Sequence, residues 1–132
     1  MIDTMRIVIA LFLAAHGLVH LLYLAPRPED DPRYPFVPEE RWSARAVGLD
    51  DAAAKAVAAS LAILCAVVLV VAGVALLADA ELWQPLAVLG SAVSLILLLG
   101  FMHPWLTIGV AIDVAIIAAV QWLHVPAALF DG

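Results

Sequence analysis

Six polar side chains interrupt the long apolar stretches of this sequence, and they are the groups with which it could do chemistry. They are His16, His20, Ser60, Ser91, Ser94 and Asp113. A carboxyl or imidazole group inside a membrane is costly to maintain, and it indicates a functional site by default. Asp113 is therefore the strongest single candidate. The alternative is that Asp113 only fixes which helices pack together.

The histidines have a spacing of their own. His16 and His20 are four residues apart, which places both imidazoles on one helix face, where they can share a ligand or a proton path. With His103 they are weak candidates for a metal site, although haem held by two histidines needs opposed helices. His16 has no histidine partner at its depth, and only His20 and His103 form a plausible cross-helix pair. We therefore expect no cofactor.

Four apolar segments must position these groups, at about residues 4–24, 50–77, 82–102 and 104–123. About 20 apolar residues cross the hydrocarbon core of a bilayer as a helix. The first segment is too long for a signal-peptide core, so we expect it to be retained. Short connections force neighbouring helices to be antiparallel. The sequence thus predicts one all-α domain over residues 1–132, an antiparallel four-helix bundle in a membrane.

Residues 25–49 form the one long connection, here called loop 1. Five of the eight prolines lie between Pro26 and Pro38, and proline cannot continue a helix. Pro38 in a first turn and Gly48 after a last turn would bracket a short surface helix. Trp42 on that helix could lie among the lipid headgroups.

Depth along the predicted helices brings most of the polar groups to one level. At 1.5 Å per residue, His16 and Asp113 lie about 12 and about 13 Å below the loop 1 face. The expected buried polar cluster has five members: His16, Ser60, Ser91, Ser94 and Asp113. His20 and His103 should form a shallower pair at the loop face. For the serines, and for His103 at its turn, a purely structural role is the alternative.

The composition excludes several classes of function. Hydrophobic residues make up 66% of the chain and charged residues 14%, with a mean hydropathy of +1.08, far from the values of soluble domains. A net charge of -6 with only six Lys and Arg residues argues against nucleic-acid binding. The single cysteine, Cys65, cannot form an intramolecular disulfide, a CxxC redox pair or a Cys-based zinc site.

The basic residues favour one orientation in a membrane. Five of the six lie in loop 1 or at the start of the second span: Arg27, Arg33, Arg41, Arg45 and Lys55. Arg6 lies on the opposite side. Because basic residues collect on the cytoplasmic side, we expect loop 1 in the cytoplasm and both termini outside. The expected partners are the lipid bilayer and either a second copy of the chain or a larger membrane complex.

Three motifs carry a resemblance to a known family. They are HGLVHLLYLAP at residues 16–26, PRYPF at 32–36 followed by a tryptophan, and HPWLTIGVAIDVAI at 103–116. They resemble an uncharacterised family of small bacterial four-span membrane proteins, over nearly the whole chain. The resemblance implies four spans and a place in the bacterial inner membrane, and it implies no activity.

Three functions are compatible with these features. The first is an accessory or scaffold component of a membrane assembly, motivated by the small size and by the absence of a recognised catalytic motif. The second is proton-linked or cation transport through the polar cluster. The third is a redox site with metal or haem held by the histidines. The sequence favours the first, and favours a protein that is not an enzyme.

Overall fold

The computed structural model describes residues 3–122 and residue 124, and its regular structure there is entirely helical. The α-helices are α1 (Thr4–Val19), α2 (Trp42–Val47), α3 (Asp51–Leu77), α4 (Trp83–Gly100) and α5 (Thr107–Gln121). Short 3₁₀ turns cover His20–Leu24, Pro38–Glu40 and Pro104–Leu106. The all-α prediction is confirmed. The predicted end of the last helix at residue 123 lies outside the described residues.

Four helical stretches are long and apolar enough to cross a membrane: Thr4–Leu24, Asp51–Leu77, Trp83–Gly100 and Pro104–Gln121. Their bounds agree closely with the four apolar segments of the sequence. The short helix predicted in loop 1 is present as α2, and it ends at Gly48, whose φ of 70° is left-handed. Glycine adopts that conformation without the steric cost of a Cβ atom.

The end of the first span differs from its prediction as a continuous α-helix. At His20 the helix tightens, and the His20 N–H donates to the carbonyl of Gly17, three residues back, which begins the 3₁₀ turn His20–Leu24. An α-helical bond would have gone to the carbonyl of His16. The tighter turn therefore leaves the His16 carbonyl oxygen available to a side chain.

The helices pack in the order α1 on α3, α3 on α4 and α4 on α5. Small residues let α1 and α3 approach closely. A Cβ atom added at Gly73 would lie 2.8 Å from the carbonyl oxygen of Ala10, and one at Gly17 would lie 2.8 Å from Cβ of Leu69. Close approach through small residues is the usual basis of helix association in lipid.

Two side-chain contacts join elements at opposite ends of the helices. Arg6, in the first turn of α1, forms a 2.8 Å ion pair with Asp79, which follows α3. Trp42 of α2 donates from its indole Nε1 to the carbonyl of Leu99 at the end of α4, at 2.9 Å. Loop 1 therefore lies beside the α4–α5 connection, while the start of α1 lies beside the α3–α4 connection.

Candidate functional site

Asp113 is the centre of the polar cluster. Its side chain is fully buried, and it is the one buried residue of α5 among those described. One carboxylate oxygen, Oδ1, lies 2.7 Å from Nε2 of His16, and the other, Oδ2, accepts a 2.5 Å hydrogen bond from the Ser94 hydroxyl. Three helices, α1, α4 and α5, thus meet at one carboxyl group.

Ser94 and His20 extend the cluster by one more link. The Oγ atom of Ser94 also lies 2.7 Å from Nε2 of His20, and both side chains are buried. At the other edge of its ring, His20 donates from Nδ1 to the carbonyl oxygen of His16, at 2.8 Å. The result is a chain of hydrogen bonds that runs from His16 through Asp113 and Ser94 to His20 and returns to His16.

The backbone of the first span explains why His20 belongs to this chain. The change from α-helix to 3₁₀ turn frees the His16 carbonyl, and the His20 imidazole bonds to that oxygen in place of the backbone amide. The two imidazole rings meet edge to face, with centroids 5.2 Å apart. His20 is therefore oriented towards Ser94 by its own backbone, and was wrongly predicted to pair with His103 at the loop face.

The hydrogens that the four hydrogen-bonded side chains share can be counted. Because a carbonyl oxygen only accepts, His20 Nδ1 must carry a hydrogen. If Ser94 donates its one hydroxyl hydrogen to Asp113, His20 Nε2 must donate to Ser94, which makes His20 an imidazolium; when His16 Nε2 is the donor to Oδ1, Asp113 is then a carboxylate. If Ser94 donates to His20 instead, Asp113 must hold a hydrogen on Oδ2, and both groups are neutral. The two arrangements hold the same number of protons and interconvert when two protons shift through Ser94.

The other predicted serines do not join this chain. Ser91 is fully buried one turn away on α4, but its hydroxyl has no hydrogen-bond partner among the described residues. Ser60 is exposed and bonds back to the carbonyl of Ala56, at 2.7 Å. It lies two residues from each of the buried alanines Ala58 and Ala62, and two residues turn a helix by about 200°. The prediction that Ser60 faces the bundle was therefore wrong.

His103 lies apart from the cluster, in the connection before the Pro104–Leu106 turn. Its Nδ1 accepts a hydrogen bond from the backbone N–H of Trp105, at 3.1 Å, and its ring meets the Trp105 indole edge to face. The pKa of His103 is lowered below its ordinary value of 6.5. Partial burial is the larger cause, and the positive charge of Arg41 is the smaller one. His103 caps a turn, which is the structural alternative considered for it.

A side cavity of about 290 Å³ reaches the histidines from the outer surface between α1 and α5. Its walls are almost entirely apolar and include Val19, Phe36 and Trp105, while His16 and His20 supply the imidazole groups. Trp105 is 59% exposed, so the cavity opens outward at that side. Sequence reasoning missed Val19 and Phe36, although they lie in the motifs HGLVHLLYLAP and PRYPF, because α1, loop 1 and α5 form the cavity only when they pack together.

These side chains are poorly arranged to bind a metal ion. Within the described part of the chain, no three or more His, Cys, Asp or Glu side chains form a group that could hold a metal ion. Both ring nitrogens of His20 are engaged in hydrogen bonds, and Nε2 of His16 faces Asp113. A metal ligand must offer a nitrogen lone pair, so the HxxxH spacing does not present two free ligands here.

Comparison with protein-family models, curated proteins and solved structures gives no match for this chain. The resemblance of its motifs to the four-span bacterial family therefore stays a prediction. The features of the structure that bear on function are the His16–Asp113–Ser94–His20 hydrogen bonds and the side cavity that reaches them.

Proposed function

We propose that this protein is an antiparallel four-span membrane protein, placed in the bacterial inner membrane with loop 1 on the cytoplasmic side. The four apolar helices support the spans. The Arg6–Asp79 and Trp42–Leu99 contacts at opposite ends support an up-down-up-down order. A reporter enzyme fused within loop 1, compared with one fused at the N-terminus, tests the orientation; activity of a cytoplasm-only reporter at the N-terminus alone would contradict it.

At the centre of this bundle, the proposed function is proton-linked: the His16–Asp113–Ser94–His20 chain binds a proton and passes it between an acid and a base. The observation that carries the proposal is Ser94, which contacts Asp113 and His20 at 2.5 and 2.7 Å. A hydroxyl between a carboxyl group and an imidazole can accept one proton while it gives up another. A cluster that served only for packing would not need this continuous path.

The surroundings of the cluster indicate how a proton reaches it. On the loop 1 side, the rings of Tyr23, Phe36 and Phe101 pack together one turn beyond His20. On the other side, the described interior is an apolar core that contains Leu69 and Trp83. The next buried polar side chain of α4 in that half is Ser91, and its hydroxyl has no hydrogen-bond partner among the described residues. Exchange through the side cavity therefore fits better than conduction through an open pore.

Infrared difference spectroscopy tests the proton-binding step. Protein in lipid nanodiscs would be titrated from about pH 4 to about pH 10, a range that covers ordinary and strongly shifted carboxyl and imidazole groups. Subtraction of the Asp113→Asn titration cancels the signals of the other carboxyl and imidazole groups, and we expect the remaining difference to contain the carbonyl band of a protonated carboxylic acid together with imidazole bands. Ser91→Ala is the matched control and should preserve them. Spectra that are identical in the wild type and in Asp113→Asn would overturn the proposal.

An accessory role in a membrane assembly is the second candidate, and one observation favours it. Apart from Asp113, the described residues of α5 are at least partly exposed, with Ile108 72% and Val114 52% exposed. In a membrane such a surface contacts either lipid or another helix. A photo-crosslinking residue at Val114 should give a discrete adduct in cells if a partner covers α5. The same residue at Leu11 of α1, which is 63% exposed, is the control.

A further inference from the structure

We propose that the cavity between α1 and α5 binds the ring of a lipid-soluble quinone or quinol, with one ring oxygen hydrogen-bonded to His16. This inference names the ligand of the site proposed above, and it rests on the proposed function for the role of His16. It concerns binding alone.

The shape and lining of the cavity select a lipophilic ring. Its volume of about 290 Å³ lies at the lower end of small-molecule sites. Phe36 and Trp105 offer flat aromatic surfaces, and Val19 and Leu98 complete an apolar wall. A polar solute would lose its hydration in this cavity without enough new partners. A substituted ring fits, while an attached hydrocarbon tail can extend through the open side into lipid.

His16 favours a ring whose oxygen can either accept or donate a hydrogen bond. His16 lines the cavity, its Nε2 faces Asp113, and no described hydrogen bond uses Nδ1, so we infer that Nδ1 is the atom that would bond to a ligand there. When Nε2 donates to the Asp113 carboxylate, a neutral ring accepts at Nδ1. When a protonated Asp113 donates to Nε2, Nδ1 carries the hydrogen and donates.

That dual capacity matches a quinone and its quinol better than other lipophilic molecules. A quinone oxygen is an acceptor, and the hydroxyl of the corresponding quinol is also a donor, so His16 can bond to either form by changing its tautomer. An alkyl chain would leave this nitrogen without a hydrogen-bond partner, which is unfavourable in an apolar cavity. The protonation state of the neighbouring Asp113 sets the tautomer: the hydrogen on Nε2 moves to Oδ1, and one further proton is taken up at Nδ1.

Tryptophan fluorescence gives a direct binding test, since Trp105 lines the cavity. Decylubiquinone would be titrated into nanodiscs that contain the full chain, with Trp105→Phe used to identify the responding indole. We expect saturable quenching that Trp105→Phe removes. An excess of decylubiquinol should displace the quinone, whereas decylbenzene, which has a ring and tail but no oxygen, should not.

Two matched variants separate binding from simple partition into lipid. Val19→Phe would fill the cavity from a position that is 45% exposed, and it should weaken binding at least tenfold. Leu21→Phe adds the same ring to a separate groove between α1 and α3 that has no polar lining residue, and it should bind as the wild type does. Quenching that rises without saturation, or equally in both variants, would overturn the proposal, as would displacement by decylbenzene.

Failure of this inference and failure of the proposed function are distinguishable. The two are measured independently: quenching of Trp105 reports quinone binding, and the infrared difference between the wild type and Asp113→Asn reports the proton-binding step. Saturable quinone binding without any Asp113-dependent infrared change would retain the cavity and refute the proton-exchanging cluster. An Asp113-dependent infrared change without saturable quinone binding would support the proton-exchanging cluster and refute the proposed ligand.

Discussion

Nε2 of His16 lies 2.7 Å from Oδ1 of Asp113, although the two residues are 97 positions apart in the chain. The contact joins α1 to α5, two helices that do not pack along each other as α1 and α3 do. The side cavity opens between the same two helices. One buried polar contact therefore both links the first span to the last and forms the inner end of the cavity.

Ser94→Ala should destabilise the protein, whereas Ser91→Ala should not. Removal of the Ser94 hydroxyl leaves His20 Nε2 and one Asp113 oxygen without partners, at a cost of about 1–3 kcal/mol. The Ser91 hydroxyl is buried without a partner, so its removal should be neutral or slightly stabilising. Denaturant titration in mixed micelles measures both. Equal losses in the two variants would show that Ser94 contributes only packing.

Asp113→Leu should destabilise the bundle more than Asp113→Asn. Leucine leaves His16 and Ser94 facing an apolar side chain, and loss of one partner of a buried pair costs about 3–5 kcal/mol. Asparagine retains one oxygen acceptor of similar shape, so we expect a loss of about 1–3 kcal/mol. The same denaturant titration applies. If Asp113→Leu were the more stable variant, this prediction would be wrong. The carboxyl group would then destabilise the fold and be present for its chemistry.

Gly73→Ala should loosen the packing of α1 on α3. Its new Cβ would lie 2.8 Å from the backbone oxygen of Ala10, which cannot move without a shift of the helix. Overpacking of this kind costs about 1–3 kcal/mol. Gly100→Ala is the matched control, since a Cβ there meets nothing within 4 Å. Thermal unfolding in detergent should show a lower Tm for Gly73→Ala alone, and an unchanged Tm would contradict the close approach.

The turn capped by His103 should make stability depend on pH. Because burial and Arg41 lower the pKa of His103 below 6.5, the unfolded chain binds this proton more readily than the folded chain. Stability is therefore lost as pH falls through about 6.5. Protonation of Nδ1 also removes the acceptor of the Trp105 N–H.

His103→Asn isolates this effect, since asparagine can cap a turn but does not titrate. The other histidines are the same in both proteins, so the relevant quantity is the difference in Tm between the wild type and the variant at about pH 7.5 and about pH 5.5. We expect the wild type to lose more stability on acidification than His103→Asn. Parallel decreases would rule out the cap as the pH-sensitive group.

The apolar segments predicted the four long helices closely, because hydrophobic length and proline positions set where such helices begin and end. Counting depth along the helix axes also placed His16, Ser94 and Asp113 at one level. It could not establish direction around the axis, and for that reason Ser60 was wrongly directed into the bundle. Only the contacts of α3 with its neighbours decide which face of that helix is buried.

His20 shows a second limit of sequence reasoning. Its place in the cluster depends on a change from α-helix to 3₁₀ turn within the motif HGLVHLLYL, and the apolar pattern continues unchanged through that point. The side cavity depends in addition on Phe36, which loop 1 brings against the first span. Both features arise from tertiary packing, which local hydropathy does not encode.

The most direct measurement of the central claim is solid-state ¹⁵N NMR of the histidine side chains in lipid bilayers. The chain has four histidines, so the spectrum is simple, and single substitutions of His16 and His20 assign the cluster. We predict that Ser94→Ala and Asp113→Asn each shift the ring nitrogens of His20, and that Ser91→Ala leaves them unchanged. If the His20 signals were insensitive to both Ser94 and Asp113, the four residues would not share a proton, and the proposed function would be wrong.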